Sequence, residues 1–388
     1  MSSRFDQVID RRKSGCFKYD ALKMIYGRDD LLSMWVADMD FAVSDEIQSA
    51  LSARIQHPVY GYNYRLSEFY DAVQLWQERR FAWFTEREWI VPVPGIVPGI
   101  SLAVLSLTEP GDGVLIQTPV YPPFFSAATD HGRQLLTSSL VNNNGQYSID
   151  WEDFESQLKL SKLFILCSPH NPIGRVWSRE ELCKIGHLCQ KHGVNVISDE
   201  IHEDLVYPGF KHIPFASLED FSEITITGIS PAKSFNVAGL ATAVLMIPNP
   251  KLRKPVKELN EKLHLYMGNS FGIRALIAAY NDSEAWLAEL LQYLNETREL
   301  IVDYFPREIP NVKVSPIEGT YLVWLDFRDW EMDDAELQNM MLNKALIALE
   351  PGVKFGKDGK GFMRLNFGCS RSTVIDALGR IKNLQGML

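Results

Sequence analysis

The chain has 388 residues, 46% of them hydrophobic, with 39 basic against 49 acidic side chains and a net charge of -10. That length exceeds what one hydrophobic core usually serves, so two domains are expected, and the acidic balance argues against a nucleic-acid footprint. No apolar run approaches the length of a membrane span and residues 1–7 hold no apolar leader, so a cytoplasmic protein is expected, with neither membrane nor nucleic acid as a partner.

Residues 1 to about 45 are polar and irregular until Trp-Val-Ala-Asp-Met-Asp-Phe at 35–41, where apolar residues enclose two carboxylates. Two readings stand for this stretch: a segment with a task of its own, or Asp38 or Asp40 capping the helix that Ser44 introduces. His-Pro-Val-Tyr-Gly-Tyr-Asn-Tyr at 57–64 is a loop of alternating phenols, which pack or else donate to an anion. A helical pattern over 69–84 leads to a short strand at 89–95 and then to a turn and helix at 96–105. Free N–H groups at that helix start make an anion site.

Apolar, β-branched runs at 113–121, 163–174, 194–202, 224–230 and 241–247 alternate with helical patterns. This predicts an α/β fold with a mainly parallel, buried sheet flanked by helices. Near 281–283 the texture changes. A long amphipathic helix is expected over 284–305, then a smaller α+β unit with strands at 312–314, 320–326 and 361–367 and helices near 333–349 and 371–385. The glycine-rich stretch 350–361 reads as a connector or as a mobile loop. The expected organisation is an N-terminal segment, 1–45, packing with the small domain, a large domain over 46–282 and a small domain over 283–388.

Five cysteines scattered along the chain are unlike a disulfide framework. Cys183, His187, Cys189 and His192 crowd one expected helix, but Cys189 would leave the face that Cys183 and His187 share, so no metal is expected there.

Ligands of an open parallel sheet bind outside the carboxyl ends of its strands, which makes Tyr121, Asn171, Asp199, His202 and Lys233 candidate neighbours. Each has an ordinary reading: core aromatic, turn, helix cap, satisfied histidine, solvated loop charge. Together an amine, a carboxylate, an amide, an aromatic face and the phosphate cradle at 95–99 are the parts needed to hold pyridoxal phosphate.

These residues lie in Pro-Val-Tyr-Pro at 119–122, Ser-Pro-His-Asn-Pro-Ile-Gly at 168–174, Ser-Asp-Glu-Ile-His at 198–202 and Ser-Pro-Ala-Lys at 230–233. Through them the chain resembles fold-type-I pyridoxal-phosphate enzymes of the class I/II aminotransferase superfamily. Through residues 35–41, Gly-Ile-Val-Pro at 95–98, the stretch 169–177 and Glu-Gly-Thr-Tyr at 318–321 it is similar to the cystathionine β-lyase and cysteine-conjugate β-lyase branch.

The resemblance implies a cofactor held by Lys233 as a Schiff base, paired with Asp199, bonded by Asn171, covered by Tyr121 and flanked by His202. Its phosphate would meet the amides of Ile96 and Val97, Ser230, and Tyr62 reaching across a homodimer interface. Arg364 would hold the substrate carboxylate, a structural salt bridge being its alternative, and Trp35 and Ala37 would line the substrate side. Lys233 would act as the base, assisted by Tyr121. One departure stands out: many relatives carry an arginine eight residues after the lysine, where this chain has Ala241.

Three functions follow from the resemblance. The first is α,β-elimination from cystathionine or other S-substituted cysteines, releasing thiol, pyruvate and ammonia. The second is transamination, and the third is regulation through a protein partner by a relative that keeps fold and cofactor.

Overall fold

The computed structural model describes residues 3–387. Seven strands form the main sheet: β1 (Ile90–Val93), β2 (Gly113–Thr118), β3 (Gln134–Ser139), β4 (Ser161–Cys167), β5 (Asn195–Asp199), β6 (Thr225–Ile229) and β7 (Ala243–Met246). Their order is β1-β7-β6-β5-β4-β2-β3. The five strands from β6 to β3 run parallel, while β7 is antiparallel to both β6 and β1.

The expected α/β architecture follows from the apolar runs. Successive side chains of a strand point to opposite faces, so a run without polar positions must be covered on both. Ile116, Ile165 and Ile197 join one core with Ile96 and Ile100 of helix α1 (Ile96–Leu107). Leu115, Phe164 and Val196 join another with Leu182 and Ile185 of helix α2 (Arg179–His192). At Gly99 an added Cβ would stand 3.1 Å from Leu245 and 3.2 Å from Val93, so the absent side chain lets α1 lie close on the sheet.

Strand β3 was not expected. Its Gln-Leu-Leu-Thr-Ser-Ser sequence is mostly polar, as suits an edge strand paired only with β2.

Helix α3 (Glu284–Glu308) is three residues longer than its pattern implied and buries Leu287, Leu290, Leu294, Ile301 and Phe305 along one stripe. Ser283 precedes it without capping it, because its hydroxyl bonds Ser44 Oγ at 2.7 Å and the Ala278 carbonyl at 3.0 Å.

A second sheet follows, from β8 (Lys313–Val314), β9 (Leu322–Asp326), β10 (Glu350–Pro351) and β11 (Phe362–Asn366), ordered β8-β9-β11-β10. Helices α4 (Asp334–Asn343) and α5 (Arg371–Leu384) complete it. The helix expected over 333–349 stops at Asn343. Residues Ile347–Ala348 instead pair in parallel with Leu32–Ser33, and 350–351, read as loop, form β10. The rest of that loop is folded onto the main sheet, where Asp358 accepts from Thr118 at 2.5 Å and Ser139 at 2.9 Å.

Ser44 caps the helix Asp45–Gln56 through the Ile47 N–H, so neither Asp38 nor Asp40 is needed as its cap. On α2, His187 lies 2.7 Å from Glu219 and His192 2.9 Å from Glu155. No helix among the described residues is long and apolar enough to cross a membrane.

Candidate active site

The carboxyl ends of the parallel strands open into a crevice of about 270 Å³ lined by Tyr121, Asn171, Asp199, His202 and Lys233, with Ile96, Val97 and Ser230 at one end. Each arrives at the end of a buried run. Strand β2 delivers Tyr121, β4 delivers Asn171, β5 ends on Asp199, and β6 leads to Ser230 and the turn Pro231–Ser234. A larger and more open depression of about 950 Å³ runs past Arg65, Arg87 and Lys257 but holds no such convergence of groups.

The Lys233 amine donates to the Ala37 carbonyl at 2.6 Å. Burial lowers its pKa to about 8, with Arg364 adding to the effect and Asp38 and Asp199 opposing it. The amine is therefore still mostly protonated at pH 7, but its neutral fraction is far larger than that of an exposed lysine, as a nucleophile or base requires.

Asp199 is 4% exposed and accepts one bond, from the Ile201 N–H at 3.2 Å. Burial pushes its pKa up to about 7, against the pull of that bond and of Lys233. A carboxylate so placed is short of a cation. His202 is held neutral by burial and by the positive charge of Lys233 and Arg364; its Nδ1 has no protein partner, and its ring meets Tyr321 edge-on. Burial, reinforced by the Asp199 charge, keeps the Tyr121 phenol protonated.

Arg364, on β11, crosses to this site from the second sheet. It donates to Asn171 Oδ1 at 3.0 Å and to the Trp35 carbonyl at 2.8 Å, with its guanidinium 4.9 Å above the Phe355 ring. Its Nε is buried without a partner, and no carboxylate is bonded to it among the described residues. The salt-bridge alternative weighed for Arg364 is therefore not what its contacts display.

One expectation is corrected. The Trp35 side chain does not face the crevice: it packs with Leu22, Leu31 and Ala348, and its indole N–H donates to the Lys18 carbonyl at 2.9 Å. Trp35 meets the site only through its own carbonyl. Tyr62, expected to serve the site of a second subunit, is 94% exposed in the single chain and lines a surface hollow with Arg54 and Arg274. Ala37 does line the crevice, and Ser230 reaches it with a committed hydroxyl, which donates to the Thr242 carbonyl at 2.7 Å.

Several lining residues went unread in the sequence. Tyr321, whose hydroxyl shares the Ala37 carbonyl at 2.9 Å, ends a motif that was noted without a role for it. Ile201, Cys167, Ala238 and Thr242 resemble ordinary core or turn residues and carried no signal. Ala241, where an arginine would stand in many relatives, also lines the wall, with φ at 45°.

A mostly parallel sheet with an amine, a buried acid and a free-edged guanidinium at its carboxyl end defines an α/β protein built around one small-molecule crevice. The chain belongs to the aminotransferase class I and II family, whose model matches residues 42–381. It is 44% identical to cystathionine beta-lyase PatB of Bacillus subtilis strain 168, over 97% of this chain and 98% of that protein. Cystalysin of Treponema denticola, whose crystal structure contains a pyridoxal 5'-phosphate cofactor, superposes with a TM-score of 0.96 at 33% identity, covering 100% of both chains. The pyridoxal-phosphate-bound C-S lyase of Staphylococcus hominis superposes at 0.92 with 32% identity, covering 99% of this chain and 98% of that one. The fold is therefore that of the fold-type-I pyridoxal-phosphate enzymes.

The crevice fits that cofactor. Asp199 lacks a cation that a protonated ring nitrogen would supply, and the α1 N-terminus presents unpaired N–H groups to a phosphate. Apolar walls at Tyr121 and Ile201 suit the two faces of a ring.

Proposed function

We propose that this protein is a pyridoxal-phosphate-dependent carbon–sulfur β-lyase that cleaves cystathionine or other S-substituted cysteines to thiol, pyruvate and ammonia. The observation that carries the chemistry is the meeting of the Lys233 amine and the cation-short Asp199 in one crevice, with the Arg364 guanidinium bonded to Asn171 of its wall. Likeness to cystathionine beta-lyase and C-S lyase relatives over nearly the whole chain supports elimination as the outcome.

In this reading Lys233 holds the cofactor, Asp199 faces its ring nitrogen, Asn171 bonds its ring oxygen, Tyr121 covers one face, and His202 stands beside it. Ile96, Val97 and Ser230 hold the phosphate, where Ala241 leaves backbone donors in place of an arginine and the Ser230 hydroxyl gives up the Thr242 carbonyl to join them. When bound, the cofactor supplies a sink for the electron pair left at the substrate Cα.

The protein does the rest. Arg364 would fork onto the substrate carboxylate and fix the Cα–H bond toward Lys233, whose amine, set free when the substrate's own amine takes its place, would take the proton. The Cβ–S bond then breaks, and the departing thiolate accepts a proton from Lys233 or from the protonated Tyr121. The aminoacrylate left behind hydrolyses to pyruvate and ammonia. Ala37 and the Trp35 carbonyl border the substrate side.

We place the domain limits at 45 and 282, supported by two separate sheets. We also assign a homodimer with shared sites, supported by Tyr60, Tyr62 and Tyr64 standing exposed side by side. A cytoplasmic location agrees with five free thiols.

The test is an assay of thiol and pyruvate from cystathionine and several S-substituted cysteines with no 2-oxo acid present. Equimolar release is expected. Turnover that appears only when a 2-oxo acid is added would replace the lyase with an aminotransferase.

Arg364→Ala is expected to lower kcat/KM by about 10- to 150-fold, the worth of a charge-assisted hydrogen bond, chiefly through KM. Arg364→Lys should recover only part of it, because an ammonium cannot reproduce the fork. Steady-state kinetics on one thioether substrate checks both.

A further inference from the structure

Ala37 lines the crevice, and the carbonyls of the stretch 35–41 around it are bound by side chains from distant parts of the chain. Arg364 donates to Trp35, Lys233 and Tyr321 to Ala37, Lys18 and Asn366 to Asp38, and Asn236 to Met39 and Phe41. The two carboxylates of the stretch are held from the N-terminus. Arg11 forks onto Asp38 at 2.9 and 2.8 Å, and the same guanidinium reaches Asp40 at 2.6 Å and the Met39 carbonyl at 3.1 Å. Asp40 also accepts from Lys18 and Tyr19, each at 2.9 Å. Arg11 and Lys18 thus balance Asp38 and Asp40 in a mostly buried quartet.

The geometry points to Arg11 as a positioning residue of the active site: it pins the Ala37 carbonyl against the Lys233 amine and cancels the Asp38 charge that adjoins that carbonyl. The charged groups acting on Lys233 are Arg364, Asp38 and Asp199, with neutral His202, Tyr121 and Tyr321 around them. Of the two carboxylates, Asp199 faces the crevice, whereas Asp38 is paired by a residue outside it. Removing Arg11 leaves Asp38 only the more distant Lys18, at 3.7 Å, so more of its negative charge acts on the amine and favours the protonated form; removing Asp38 does the opposite.

This inference rests on the reading of Lys233 as the cofactor-bearing residue. In the holoenzyme, the absorbance of the bound cofactor against pH reads the proton on the Lys233 nitrogen. Arg11→Gln is expected to raise the midpoint by about one pH unit and Asp38→Asn to lower it by a similar amount. The double variant should return close to the parent value, and Arg11→Lys should keep most of it.

Circular dichroism melts verify folding, and if Arg11→Gln does not fold, the sign of the Asp38→Asn shift decides. Shifts of one sign in both single variants, or none in either, would overturn the inference while leaving the chromophore in place. A parent protein that binds no chromophore would overturn the reading beneath it instead.

Discussion

Replacing Lys233 with alanine is expected to remove all measurable turnover, a fall of at least about 10⁴-fold in kcat, together with the absorbance of covalently held cofactor. Two duties are lost at once. The amine that attaches the cofactor is gone, and so is the base that would take the Cα proton. No neighbour replaces it: burial and the Arg364 charge leave His202 a weak base, and burial keeps the Tyr121 hydroxyl protonated. The fold should survive, because the Ala37 carbonyl keeps its bond from Tyr321. Added methylamine restoring a fraction of the rate would identify the missing group as a base. Full physiological activity in Lys233→Ala would make protein-partner regulation, not catalysis, the relevant function.

Lys233, Asp199, Asn171 and Tyr121 could be read from the chain because each follows a buried β-branched run, and a parallel sheet carries all such positions to one edge. The physics there is local: a run that must be covered on both faces can only be a central strand, and the residue after it must emerge at the rim. Where structure depends on distant pairing, the chain is silent. Strand β3 mixes polar with apolar residues and pairs with one neighbour only, and 347–348 leave the expected helix to pair with 32–33. The side chain of Trp35 turned away from the crevice for the same reason, since its indole bonds a carbonyl seventeen residues earlier. The Arg11 quartet gave no pattern to read, as its members are separated by spacers of no regular period. Tyr62 marks a different boundary: it stands exposed, and the role expected of it would need a second subunit.

Asp199→Asn is expected to lower kcat by about 10²–10³-fold with little change in KM, the scale of losing one preorganised charge at a reacting centre. The amide keeps the shape and the bond from the Ile201 N–H, yet it cannot hold a proton on the ring nitrogen of the cofactor, and the electron sink weakens. Stability should move the other way in the cofactor-free protein. Burial raises the Asp199 pKa from 3.8 to about 7, so the folded state binds a proton that the unfolded state has already released between those values. Its contribution to stability is fully present below about pH 4 and is lost as pH rises through 7. Above that the buried charge costs up to about 4 kcal/mol, from roughly three pKa units at 1.36 kcal/mol each. The cofactor-free Asp199→Asn protein should therefore melt higher than the parent at pH 8 and no higher at pH 4, while added pyridoxal phosphate stabilises the parent more. Denaturation at the two pH values, with and without cofactor, checks both halves. An unstabilised variant with a kcat within tenfold of the parent would mean that Asp199 does not face the ring nitrogen, because the destabilising charge and the catalytic charge are the same carboxylate.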